Sequence, residues 1–193
     1  MNEHLKPVFS LLLPRLEKAG IDYWVYGGVA IAGIKGYFYR CNKDIDIFVL
    51  NKNYKKANDI IKETSDKNLW IFKPAKLLGT RPKNELFIDG KERLSIVPIY
   101  ETDSEVKFIF EKRPKIFSGI LLKSVIRYIG KYKFITPSED LLKELLRFYL
   151  ESFFKSERKR NDKKLWEKRK LDAEKLLGNK ETKKLFIIPN SEM

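Results

Sequence analysis

The chain has 193 residues, of which 43% are hydrophobic and 13% aromatic, so it can build a packed core and is not expected to be disordered. It carries 40 Lys and Arg against 26 Asp and Glu, a formal net charge of +14 at pH 7. Its single cysteine, Cys41, excludes an intramolecular disulfide and fits a reducing cytoplasm. No apolar segment is long enough to span a bilayer, so no membrane partner is predicted.

The positive charge favours a polyanionic partner, such as RNA, DNA or a nucleoside triphosphate. Lysines spread over a solvated surface would give the same total charge. Charge alone does not choose between these two interpretations.

The first half of the chain alternates predicted helices and strands. Residues 3–19 have apolar side chains at helical spacing, and Pro14 is expected to bend or break this helix. The elements that follow are three strands with two helices between them, at 22–27, 29–34, 44–50, 52–64 and 68–74.

The second half begins with strands and ends with helices. Two strand pairs are predicted, one over 84–100 that turns at Asp89-Gly90 and one over 123–137 that turns at Gly130. Residues 101–122 receive no assignment. A helix over 136–154 is predicted with Thr136 as its N-cap, followed by a basic helical stretch over 155–178.

This order predicts an α/β fold with a mixed β-sheet flanked by helices and a helical C-terminal segment. The predicted domains are an α/β core over 1–135, basic C-terminal helices packed on that core over 136–178, and a peripheral tail over 179–193.

Two carboxylates stand at alternate positions where the strand 44–50 begins. Asp44 and Asp46 should share one face of the sheet, while Ile45 and Ile47 point into the core. Adjacent carboxylates repel each other, and a hard divalent cation such as Mg²⁺ or Mn²⁺ removes that repulsion while binding substrate phosphates. The pair therefore predicts a metal site that also takes a nucleotide.

The glycines upstream fit the same chemistry. Gly27 and Gly28 end one strand and open a helix, where free backbone N–H groups and the helix dipole bind phosphate. Arg40 and Lys43, in the loop before Asp44, are candidate phosphate contacts, although a flexible basic loop would have the same composition. Together these residues predict metal-assisted nucleotidyl transfer.

The stretch from "YGG" to "RCNKDIDIFV" resembles the DNA polymerase β-like nucleotidyltransferase superfamily, which includes abortive-infection-type toxins, antibiotic nucleotidyltransferases and tRNA nucleotidyltransferases. Arg40 matches the arginine of the family pattern Arg-x-Thr-x-Asp-h-Asp, and Asn42 stands where Thr is more usual. The likeness extends weakly over residues 20–177, with Asp162 at the acidic position of a late helix. The resemblance implies an NTP substrate, one or two Mg²⁺ ions and transfer of a nucleoside monophosphate.

One family feature is missing. The resemblance implies a third metal-binding carboxylate before an apolar-apolar-Pro segment, and this chain has Ser95 there, in "RLSIVPIY". The candidate replacements are four acidic residues, namely Asp89, Glu92, Glu101 and Asp103. Either one of them replaces it, or the alignment at Ser95 is shifted, or the chain is a nucleotide- or RNA-binding module that has lost the activity.

The densest basic run lies near the C-terminus, and its candidate RNA-binding residues are Arg158, Arg160, Lys163 and Lys164. A solvated surface helix is the competing interpretation. The expected function is Mg²⁺-dependent transfer of a nucleoside monophosphate to a hydroxyl, with RNA, above all a tRNA end, as the acceptor that fits the charge best. An antibiotic, or a partner protein in a toxin–antitoxin pair, is the alternative acceptor.

Overall fold

The computed structural model describes residues 2–77, 81–110 and 113–186. It forms two compact units, Met1–Leu141 and Leu142–Met193. None of the helices in these described ranges is both long and apolar enough to cross a membrane.

The N-terminal helical segment changes its helix type just before Pro14, while Leu12 and Leu13 keep right-handed helical backbone angles. A short 3₁₀ turn (Glu3–Leu5) and a π-helical segment (Val8–Leu12) precede helix α1 (Leu13–Lys18). Pro14 lies in the first turn of α1, where its missing N–H costs no hydrogen bond.

A mixed sheet forms the centre of the first unit. Strand β2 pairs with β1 in antiparallel orientation and with β5 in parallel orientation, and β4 and β3 continue the sheet antiparallel beyond β5. The predicted mixed α/β fold is confirmed. The strands are β1 (Tyr23–Tyr26), β2 (Ile45–Leu50), β3 (Ile71–Leu77), β4 (Arg81–Ile88) and β5 (Lys91–Glu101).

Two helices connect these strands. Helix α2 (Gly27–Lys35) starts directly at the end of β1, and α3 (Asn51–Lys67) starts at the end of β2. Alternation along β2 separates two faces, since Ile45 and Ile47 are fully buried while Asp46 between them is half-buried. Asp44 immediately precedes the strand.

Residues 101–122, which the sequence leaves unassigned, contain a hairpin that extends β5. Strands β6 (Glu105–Phe110) and β7 (Arg113–Ser118) pair antiparallel and lead into a 3₁₀ turn, Gly119–Leu122. A separate two-stranded sheet follows, β8 (Val125–Ile129) and β9 (Tyr132–Thr136). Its turn contains Gly130 at φ 58°, as predicted.

The helix predicted over 136–154 begins later than expected. Helix α4 spans Glu139–Phe154, and the backbone N–H of Leu141 donates to Ser138 Oγ at 3.2 Å. Ser138 Oγ itself donates to the Leu121 carbonyl at 2.7 Å. The expected N-cap Thr136 is wrong, because Thr136 ends strand β9 and its hydroxyl is turned to the Pro137 carbonyl.

The second unit is helical, and its basic stretch is not one continuous helix. Helix α5 (Glu157–Arg160) and helix α6 (Lys163–Leu176) are separated at Asp162, whose carboxylate caps α6 by accepting from the Leu165 N–H at 3.0 Å. Helix α7 (Asn179–Leu185) follows, so the described part of the segment predicted as a peripheral tail is helical.

The α7 segment is held within its unit. Glu181 accepts hydrogen bonds from Arg147 of α4 at 2.7 and 3.1 Å, and Thr182 is 1% exposed. The remainder of the predicted tail, 187–193, lies outside the described residues.

The turn between β4 and β5 offers a direct test of how these two strands pair. Asp89 and Gly90 have φ values of 52° and 70°, the pair of left-handed conformations that a two-residue hairpin requires. Gly90→Ala is expected to lower the free energy of unfolding by about 1–2 kcal/mol, because only glycine adopts this conformation freely. Asp89→Asn should be nearly neutral, since Asn tolerates it too. Urea unfolding of both variants measures the difference, and equal losses would contradict the turn assignment.

Candidate active site

The Gly27–Gly28 turn lies against two of the other predicted site residues, Asp46 and Arg40. Gly27 has φ 70°, and a Cβ added there would lie 3.2 Å from Asp46 Oδ2. A Cβ added at Gly28 would lie 2.5 Å from Asn42 Oδ1 and 2.7 Å from Arg40 Cζ. Only glycines leave room for the Asp46 carboxylate on one side and the Arg40 guanidinium on the other.

The helix that starts here presents its N-terminus to the same space. Helix α2 begins at Gly27, and the side chain of its N-cap residue, Tyr26, does not cap the first turn. The first N–H groups of a helix carry partial positive charge and bind anions. The guanidinium of Arg40 lies over this terminus, so two sources of positive character coincide.

The loop that carries Arg40 and Asn42 is braced by the N-terminal segment, a contact that the sequence did not predict. Asn2 Nδ2 donates to the Arg40 carbonyl at 3.0 Å, and the Asn42 N–H donates to Asn2 Oδ1 at 2.7 Å. His4 Nε2 lies 2.8 Å from the Asn42 carbonyl oxygen. About 38–40 residues separate these partners, so no local pattern announces them.

A network of alternating charges borders the two aspartates. Lys43 Nζ lies 2.7 Å from Glu92 Oε2, and Lys83 Nζ lies 3.3 Å from Glu92 Oε1 and 2.7 Å from Glu85 Oε1. Lys43 is largely exposed, whereas the side chains of Lys83, Glu85 and Glu92 are only 10%, 19% and 12% exposed. Lys83 and Glu85 are members that the sequence reasoning missed.

The lysines of this network stay protonated. Burial acts to lower the pKa of Lys83, but its hydrogen bond to Glu85 and the charges of Glu92, Glu85 and Asp46 raise it overall. The pKa of Glu92 moves the other way. Burial would raise the pKa of Glu92, and the hydrogen bond from Lys43 with the charge of Lys83 lowers it below its usual value.

The four acidic residues considered as replacements at Ser95 lie in different places. Glu92 belongs to the charge network, and Asp89 lies in the β4–β5 turn. Glu101 is six residues along β5 from Ser95, about 20 Å at the usual rise of a strand, and Asp103 lies beyond it. Distance along the strand therefore excludes Glu101 and Asp103 as neighbours of Asp46.

The carboxylates suit a hard cation that takes few protein ligands. Among the described residues, no group of three or more His, Cys, Asp and Glu side chains is arranged to hold a metal ion. Mg²⁺ commonly binds one or two carboxylates and fills its other positions with water and phosphate oxygens. Asp46, which lies next to the N-terminus of α2, and Asp44, two residues before it, fit this donor set.

The basic residues predicted to bind RNA lie in the second unit. Arg158 and Arg160 are exposed on α5, and Lys163 and Lys164 are exposed in the first turn of α6. Between residues 155 and 170 there are nine Lys and Arg against three Asp and Glu. Two of these residues contact the Tyr149 ring, since the Arg169 Cζ lies 4.2 Å and the Lys159 Nζ 6.0 Å from its centroid.

Neither a scan of protein-family models nor a search of curated proteins matches the chain. Solved structures do match. The antibiotic-resistance factor ANT(2'')-Ia, in complex with adenylyl-2''-tobramycin, superposes with a TM-score of 0.63 at 14% identity, covering 94% of each chain. Its solution structure gives 0.64 at 15% identity, covering 96% of this chain and 90% of that one.

The lincosamide antibiotic adenylyltransferase LnuA, bound to lincomycin, superposes with a TM-score of 0.52 at 19% identity. The match covers 68% of this chain and 79% of LnuA. The chain therefore has the fold of these nucleotidyltransferases, which is the fold that the sequence resemblance implied.

Separate substitutions of Gly28 and Gly36, at the two ends of α2, distinguish an effect on triphosphate binding from an effect on stability. Gly28→Ala should displace Arg40 and weaken triphosphate binding about 10-fold, a loss of about 1.4 kcal/mol. Gly36→Ala is the matched control, because Gly36 has φ 78° and open space around it. It should lose about 1–2 kcal/mol of stability and keep its affinity. Isothermal titration and urea unfolding measure both, and unchanged affinity in Gly28→Ala would contradict the site.

Proposed function

We propose that this chain transfers a nucleoside monophosphate from a nucleoside triphosphate to an acceptor hydroxyl. The observation that carries the proposal is the Gly27–Gly28 turn, where the Asp46 carboxylate and the Arg40 guanidinium approach the N-terminus of α2 on either side. A negative phosphate chain and a cation are the two ligands that such a place accepts together.

Each residue has a distinct role in this proposal. The N–H groups at the start of α2 hold the triphosphate, and Arg40 offsets its charge. Lys43, which is 64% exposed and paired with Glu92, adds positive charge from the same loop. Asp44 and Asp46 hold Mg²⁺ or Mn²⁺. When bound, the ion polarises the phosphoryl oxygens and offsets the charge that develops on them.

The reaction is a substitution at the α-phosphorus. The acceptor oxygen forms a bond to that phosphorus, the bond to the oxygen that leads to the β-phosphorus breaks, and pyrophosphate leaves with the electron pair. The proton of the acceptor hydroxyl passes to water. Catalysis then rests mainly on positioning and electrostatic stabilisation, which the glycine turn and the charged loop provide.

RNA, such as a tRNA end, is the acceptor class that the charge favours. The net charge is +14, and Arg158, Arg160, Lys163 and Lys164 are exposed. LnuA and ANT(2'')-Ia were solved with lincomycin and adenylyl-2''-tobramycin, so an antibiotic acceptor is the second candidate. Tobramycin is a polycation, which a strongly positive chain would repel rather than attract. A hydroxyl of a partner protein, as in a toxin–antitoxin pair, is the third.

A labelling assay tests the proposal. Purified protein is incubated with Mg²⁺ and each α-³²P-labelled nucleoside triphosphate, with total tRNA, lincomycin, tobramycin or no acceptor. Label is expected to enter RNA. Asp44→Asn and Asp46→Asn should each abolish transfer, because the carboxylates that hold the ion are lost. Asp59→Asn makes the same chemical change at an exposed position of α3 and should transfer normally.

The other outcomes each have a meaning. Label in lincomycin, in tobramycin or in the protein itself would support nucleotidyl transfer and contradict RNA as the acceptor. Triphosphate binding that depends on Asp44 and Asp46, with no transfer to any acceptor, would identify a binding module without activity. Transfer that survives in Asp44→Asn and Asp46→Asn would contradict the assigned site.

A further inference from the structure

The face of the sheet beside Asp46 has an unusual row of residues. Asp46 on β2 lies directly opposite Ser95 on β5, and Ser95 lies directly opposite Glu85 on β4. Residues that are paired across strands share a face, so two carboxylates flank one hydroxyl. Ser95 is fully buried, and its Oγ has no hydrogen-bond partner.

Lys83 introduces a fixed positive charge next to this row. It is two residues from Glu85 on β4, so both side chains lie on the same face. Its ammonium contacts Glu85 and Glu92 at 2.7 and 3.3 Å, and the side chain is 10% exposed. The charge of Asp46 also acts on Lys83. Glu85 and Glu92 therefore already have a cation between them.

Ser95 and Lys83 change the charge of this face in the same direction. Ser95 removes a negative charge from the position where the family resemblance implies a carboxylate, and Lys83 adds a positive charge beside it. A second divalent ion needs carboxylate oxygens that are not neutralised by another cation. Within the described part of the chain, no group of three or more His, Cys, Asp and Glu side chains could hold a metal ion. This agrees with a face that Ser95 and Lys83 have both made less negative.

We propose that the ammonium of Lys83 takes the place of a second divalent ion, so that the site works with a single ion held by Asp44 and Asp46. The inference rests on the proposed function and adds to it how the positive charge is supplied. In two-ion sites the second ion lies about 3.5–4 Å from the first and stabilises the attacking oxygen. Lys83 contacts Glu85 and Glu92 and interacts with the charge of Asp46, and in this way it holds a positive charge on the Glu85 side of Asp46.

The number of bound ions tests this directly. Crystals of the full chain are grown with Mn²⁺ and the non-hydrolysable α,β-methylene analogue of ATP, GTP, CTP or UTP in turn, and anomalous scattering from manganese locates the ions. One peak is expected, at Asp44 and Asp46, with Lys83 still bonded to Glu85. A second peak on Glu85 or Glu92, with Lys83 displaced, would overturn the inference and make that glutamate the third metal ligand.

Variants supply an independent readout. Lys83→Met should lower kcat on the order of 10²-fold, as loss of one fixed charge donor does in other sites. Lys83→Arg keeps the charge and should retain most of the activity. The double variant Lys83→Met with Ser95→Asp restores the carboxylate and removes the ammonium, so it should bind two Mn²⁺ ions. Melting temperatures of all three show that they fold.

The outcomes separate this inference from the proposed function. One ion in the wild type and two in the double variant support the inference. Full activity of Lys83→Met, or a single ion in a folded double variant, overturns it while nucleotidyl transfer stands. Absence of both nucleotide and Mn²⁺ from Asp44 and Asp46 overturns the proposed function and the inference with it.

Discussion

Repulsion between carboxylates on one face of a sheet is the constraint on which this site depends. Asp46 and Glu85 lie on one face with only Ser95 between them, and Asp44 lies just before the strand. Such a face is stable only if positive charge is held close to it. The chain provides this charge from two sides, through Arg40 at the glycine turn and through Lys83 with its glutamates.

The close approach of these opposite charges also explains why positions 27 and 28 are glycine. The Asp46 carboxylate and the Arg40 guanidinium both occupy space that a side chain at 27 or 28 would fill. Their approach leaves the N-terminus of α2 beside the Asp46 carboxylate, and a nucleotide with its metal would use both features. The bracing of the Arg40 loop by Asn2 and His4 holds this arrangement in register.

Much of this could be predicted from local pattern, but the role of Glu85 could not. The Gly-Gly turn, the strand at Ile45 and the Asp89-Gly90 hairpin are local signals, and they appear where predicted. A regular hairpin would have paired Glu85 with Leu94. A bulge between Leu86 and Phe87 shifts the register so that Glu85 faces Ser95. One inserted residue moves a strand's side chains to the opposite face, and no local signal marked it.

The most direct test of the central claim is the effect of Mg²⁺ on triphosphate binding, measured by calorimetry with a non-hydrolysable analogue. If Asp44 and Asp46 hold the ion beside the glycine turn, Mg²⁺ should tighten binding to the wild type and have no such effect on the Asp44→Asn, Asp46→Asn double variant. Equal tightening in both proteins would show that the ion acts on the nucleotide alone, and would contradict the account of this site.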